Sequence, residues 1–183
     1  MAYRNGTYIA FHAEGSSDPT ASDIKYYRLL KAWHINEDTE FSFTDSHEKT
    51  AAVRDTSSRA TLLLRLKARL RLSKNMVLII GKTTRYDRDW VPFEIEYAID
   101  SCAIPIIAAY PDYEYILSPG DLSHLWPIAL AKRINDQSAR IIHIPFKQEP
   151  IKDAVRRFSP TELPPDCLSY YTIDAYKNWG IVR

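Results

Sequence analysis

Apolar positions along the chain follow two alternating rhythms. Residues 7–12 (TYIAFH), 41–44 (FSFT), 76–80 (MVLII), 104–109 (IPIIAA) and 141–144 (IIHI) are short β-rich or apolar runs bounded by polar or turn residues. Runs of this length and composition predict short buried strands. Between them the spacing turns helical. Ile24, Tyr27, Leu30 and Trp33 recur three residues apart, after Ser22 or Asp23 as cap. Val91, Ile95, Ala98, Ile99 and Cys102 form one stripe of a helix over 91–102. Gly120 and Asp121 open a helix to about Ile134, and 151–158 is a short last helix.

Residues 64–72 (LRLKARLRL) fit both rhythms. They alternate with period two, yet hold no β-branched residue, and Leu, Arg, Lys and Ala are strong helix formers. Leu62, Leu66 and Leu70 also make an i, i+4, i+8 stripe, and Ser57 and Ser58 are good caps. A helix is the expectation, with its basic residues as a solvated face. No aromatic platform is interleaved there, as a nucleic-acid surface would need.

Five strands alternating with helices predict an α/β fold, a flavodoxin-like doubly wound parallel sheet with helices on both faces. The usual order is 2-1-3-4-5, and residues 76–80 are central. Residues 1–183 are expected to form a single domain with its core over 7–158. Residues 159–183, rich in Pro, Tyr and Trp, are expected to be an irregular extension. Ligands of such sheets bind beyond the carboxyl ends of the strands. The loops after Phe11, Thr44, Ile80 and Ala109 therefore matter most.

Charge and composition narrow the function classes. Lys plus Arg is 24 and Asp plus Glu is 23, a formal net charge of +1, which gives no general attraction to nucleic acid or anionic membrane. Two cysteines, Cys102 and Cys167, make neither a disulfide framework nor a metal-ligand pattern, and a reducing cytoplasm is expected. No apolar run approaches the roughly 20 residues of a membrane span. P-loop and dinucleotide glycine signatures are absent, no GxSxG elbow is present, and the five His have no metal spacing. His12 and His47 lie in crevice loops, with packing or ligand contact both open.

The stretch 87–100 (DRDWVPFEIEYAID) carries five carboxylates. On a helix, Glu94 lies roughly 60° from Val91, at the edge of the apolar stripe, and Glu96 roughly 140° away in solvent. Trp90 and Tyr97 share the flank of Glu94. Glu94 is thus the carboxylate expected both near the crevice and partly desolvated. It is either a catalytic group or a first-turn Glu favoured by the helix dipole. Asp87, Asp89, Glu96 and Asp100 read as capping or solvated charge.

At these residues a family resemblance enters. The run VLIIGKTTRYDRDWVPFEIEYAI resembles the third strand and following helix of TIR-like domains. NAD-cleaving members carry a WxxxE pattern with a catalytic Glu, here Trp90 to Glu94. The Trp-Val-x-x-Glu-Ile form is similar to TIR-like proteins of the bacterial Thoeris antiphage defence system (ThsB type), as is the opening IAFHAEGSSD. Val91 stands where WCxxE forms have Cys. The resemblance covers roughly 7–110. It implies cleavage of the nicotinamide–ribose bond of NAD, as substrate with no further cofactor and no metal. A cyclic ADP-ribose-type product would then activate a partner effector protein. It implies Glu94 as catalyst, Phe11, His12 and Trp90 flanking the substrate, and Asp45 and Ser46 at ribose hydroxyls. Self-association is implied as well, without nucleic acid or membrane. A non-catalytic TIR-like scaffold and a nucleoside deoxyribosyltransferase-like enzyme remain the alternatives.

Overall fold

The computed structural model describes residues 4–12, 23–36, 43–44 and 58–183. In chain order the elements are β1 (Gly6–Ala10), α1 (Ile24–Asn36), β2 (Phe43–Thr44), α2 (Arg59–Leu72), β3 (Ser73–Ile79) and α3 (Trp90–Glu96). They continue with β4 (Ile106–Tyr110), α4 (Ile128–Asn135), β5 (Ile141–Pro145), α5 (Gln148–Arg157), β6 (Ser169–Tyr170) and α6 (Ile173–Asn178).

The strands form one sheet in the order β2-β1-β3-β4-β5-β6, with every pairing parallel. β3 lies between β1 and β4. Strands β1, β4 and β5 are buried at every position, as expected for a sheet covered on both faces. One layer of core joins Tyr8, Ala10, Met76 and Leu78 to α2, α3 and α4. The other joins Ile9, Phe11, Val77 and Ile79 to α1 and α5. Alternation along each strand divides the two layers. The arrangement is a flavodoxin-like doubly wound α/β fold.

The ambiguous basic segment is helical. Ser58 caps α2 by accepting from the Thr61 N–H at 3.3 Å, and Leu62, Leu66 and Leu70 are its buried stripe. Helix propensity and one-sided burial outweigh the period-two pattern, because the alternating basic residues never have to face a core.

Several expectations need correction. The sheet has a sixth strand. β6 is two residues long and pairs with β5, Ile142 against Ser169 and His143 against Tyr170. So short an edge strand leaves no periodic signal in the sequence. The tail is therefore ordered cover, ending in α6, whose Tyr176 is fully buried. The helix expected from Gly120 to Ile134 is broken. A 3-10 segment spans Pro119–Leu125, and α4 starts after Pro127, whose ring cannot continue a helix. Asp23 starts α1 through its backbone carbonyl, which accepts from the Tyr26 N–H at 3.1 Å. Ser22, Ser57, His47 and residues 41–42 lie outside the described residues.

Candidate functional site

The carboxyl ends of β1 and β3 carry a concentration of buried polar groups. β3 runs on through Ile80 to Gly81, and the turn that follows is a 3-10 segment, Thr84–Tyr86. The Thr84 hydroxyl accepts from the Gly81 N–H at 2.8 Å and donates to Asp23 Oδ2 at 2.7 Å. Asp23 and Thr84 are both buried. This couples the start of α1 to the turn after β3. Gly81 is needed because the Asp23 carboxylate lies against its backbone. A Cβ at position 81 would stand 2.0 Å from Asp23 Oδ1 and 2.9 Å from Asp23 Cγ. Gly81→Ala is therefore expected to push Asp23 off Thr84 and cost roughly 1–2 kcal/mol. Urea unfolding checks this, and an unchanged midpoint would refute the close approach.

Asp87 then starts α3. Its Oδ1 accepts from the N–H of Asp89 at 2.8 Å and of Trp90 at 3.0 Å, satisfying donors that a helix start leaves unpaired. Pro92 is tolerated in this first turn because its missing N–H would have no helical partner. Asp87 Oδ2 lies 3.9 Å from Nε2 of His12, the residue two past the end of β1. His12 Nδ1 is buried without a hydrogen-bond partner among the described residues.

Glu94 sits in the second turn of α3, not the first, and is 2% exposed. It is deeper than the edge position that helical geometry alone implies. Tyr8, fully buried on β1, donates its phenol O–H to Glu94 Oε1 at 2.5 Å. Val91 and Ile95 beside it are fully buried, so the position where WCxxE forms carry Cys faces the core. Past Glu96 the helix widens into a π turn, Tyr97–Ser101, closed by Cys102 N–H to Tyr97 O at 3.0 Å. The extra residue in that turn shifts the helix face, which leaves Ile99 only partly buried while Ala98 and Cys102 stay inside.

The other carboxylates serve structural ends. Asp89 is exposed and pairs with Arg59 of α2, which holds its carboxyl below the usual range. Asp100 takes both arms of the buried Arg133 of α4, and Glu96, 54% exposed, lies 3.7 Å from the same guanidinium. Asp100 is therefore half of a helix-to-helix ion pair, where capping or solvated charge was the expectation. The basic side of α2 is likewise more than a solvated face. Arg59 stacks over Trp90 at 5.1 Å, and Lys67 lies over Tyr97 at 5.4 Å. Trp90 of α3 and Tyr97 of the π turn supply a partner that the α2 sequence does not contain.

Of the residues singled out from the sequence, the structure brings Glu94 and Trp90 onto α3 and His12 against the Asp87 cap of that helix. Phe11 belongs to the opposite layer of the core. It is 5% exposed and stacked on Tyr27 at 5.0 Å, because successive strand side chains point to opposite faces. Asp45 and Ser46 lie outside the described residues. Tyr8 and Thr84 were not anticipated, and Asp23 was anticipated only as a helix cap. A Tyr inside an apolar strand is the one available signal, since a buried phenol needs a partner.

No helix among the described residues is long and apolar enough to cross a membrane. Residues 8–115, more than half of the chain, match the family described as Thoeris protein ThsB, TIR-like domain. That span runs from Tyr8 through Glu94, and the chain belongs to this Thoeris ThsB TIR-like family.

Proposed function

We propose that this Thoeris TIR-like defence protein cleaves the nicotinamide–ribose bond of NAD and forms a cyclic ADP-ribose-type signal for a partner effector. One observation carries the reading. Glu94 is a buried carboxylate, hydrogen-bonded by Tyr8, on the helix that begins beyond the carboxyl end of β3.

The chemistry asks for little more. When the ribose C1′–nitrogen bond breaks, its electron pair stays on the ring nitrogen and nicotinamide leaves neutral. No acid for the leaving group is required. Positive charge develops at the ribose, and a carboxylate in a water-poor site stabilises it. Water attack at C1′ then yields ADP-ribose and one proton. Attack by a nucleophile elsewhere in the same substrate yields a cyclic product, and exclusion of water favours that route. In this reading His12 and Trp90 border the substrate, and Asp45 and Ser46 bind ribose hydroxyls.

Self-association completes the crevice, so turnover per molecule is expected to rise with protein concentration. The test is NAD consumption and nicotinamide release by the full chain across a dilution series. Full turnover by a verified dilute monomer would refute the assembly requirement. Intact NAD under every assembled condition would leave a scaffold role, and activity on deoxynucleosides instead would mark a deoxyribosyltransferase.

A further inference from the structure

The phenol of Tyr8 is inserted from β1 into the layer of core that carries α3, the cluster that also holds Val91 and Ile95. The residue has no exposed surface. An apolar ring would fill that space at lower cost, since a buried hydroxyl must be hydrogen-bonded. Its O–H reaches Glu94 Oε1 at 2.5 Å, within the range of charge-assisted O–H···O bonds. Two residues 86 positions apart in sequence are thereby joined inside the protein. The α3 backbone is fixed independently by the Asp87 cap.

We infer that Tyr8 is a positioning residue for Glu94: by holding one carboxylate oxygen it sets the orientation in which the carboxylate meets the substrate sugar. The inference rests on the reading of Glu94 as the catalytic carboxylate. A carboxylate torsion is broad and nearly two-fold when unrestrained. A hydrogen bond from a rigid ring on β1 narrows that torsion before substrate arrives, and catalysis is sensitive to such preorganisation.

The test uses Tyr8→Phe in the full-length protein, isolated from phage-infected cells in parallel with wild type and Glu94→Gln. The expected result is a fall of about tenfold in kcat for NAD cleavage, with KM within about twofold, for the folded fraction of the variant. A wild-type kcat in Tyr8→Phe, beside an inactive Glu94→Gln, overturns the positioning role and leaves the catalytic reading intact. An active Glu94→Gln overturns the catalytic reading itself. If Tyr8→Phe does not fold, 3-fluorotyrosine placed at position 8 decides the matter. It keeps the hydrogen bond, but its more acidic phenol draws charge from the carboxylate. A severalfold lower kcat at unchanged KM supports the role, and an unchanged kcat overturns it.

Discussion

Glu94→Gln is expected to lower NAD cleavage by about 100- to 1,000-fold, the usual effect of removing one charge-stabilising group from a preorganised site. The substitution keeps the size of the side chain and an oxygen able to accept from Tyr8, so the charge is the main thing lost. Stability is expected to change by about 1–2 kcal/mol at most, with either sign. A neutral amide is cheaper to bury than a carboxylate, but its NH2 group needs an acceptor in a space built for an anion. The residue is buried in the second turn, so the helix-dipole effect of a first-turn Glu does not set the size of this change. Glu96→Gln is the matched control. That side chain is 54% exposed and 3.7 Å from the buried Arg133, which Asp100 already pairs, so solvent screening leaves its contribution at about 0–1 kcal/mol. The deciding measurement is the nucleotide product in lysates of phage-infected cells carrying each variant. Equal output from Glu94→Gln and wild type would leave Glu94 as ordinary buried helix charge.

Acid is expected to destabilise the protein through a histidine far from this carboxylate in sequence. His143 is fully buried on β5. Its Nδ1 accepts from the Tyr110 O–H at 2.8 Å, and its Nε2–H donates to Cys167 O at 3.1 Å. Tyr110 in turn accepts from the Trp126 indole N–H at 2.9 Å. The network is satisfied with a neutral ring. Burial lowers the His143 pKa from 6.5 to about 4, opposed in part by the Cys167 carbonyl. Between those values the unfolded chain binds a proton at this site and the folded one does not. Stability contributed by the neutral ring is thus present above pH 6.5 and lost as pH falls toward 4. The loss is about 3 kcal/mol, at about 1.4 kcal/mol per pH unit. Urea unfolding at pH 7 and pH 4.5 measures it. Carboxylates contribute to the same slope, so His143→Gln is the reference. Wild type should lose about 2–3 kcal/mol more than the variant over that interval. Parallel pH dependence of the two would refute the assignment.

The parts of this protein legible from sequence are those governed by neighbours in the chain. Continuous apolar runs marked β3, β4 and β5, because a strand buried on both faces must be apolar throughout. Leu62, Leu66 and Leu70 marked the buried stripe of α2, and Ser58 marked its start. The same helical arithmetic separated Glu94 from Glu96. It underestimated the burial of Glu94, because a helix wheel knows the direction of a side chain but not what stands opposite it. Pro127 was a readable signal of the break before α4, passed over when one helix was drawn from Gly120 to Ile134.

Local pattern by itself determined the alternating strands and helices, the apolar faces and the single carboxylate directed inward from α3. These follow from backbone sterics and periodicity, which act over a few residues. Only the tertiary structure decided the partners. Tyr8 meets Glu94, Asp23 closes over Gly81, and His143 finds Tyr110 and Cys167 across distances that no spacing rule encodes. It also decided that Phe11 turns away from Glu94 and that the tail adds a strand to β5. Polar groups buried by the fold must pair with whatever the packed sheet brings near, and that choice exists only once the sheet has formed.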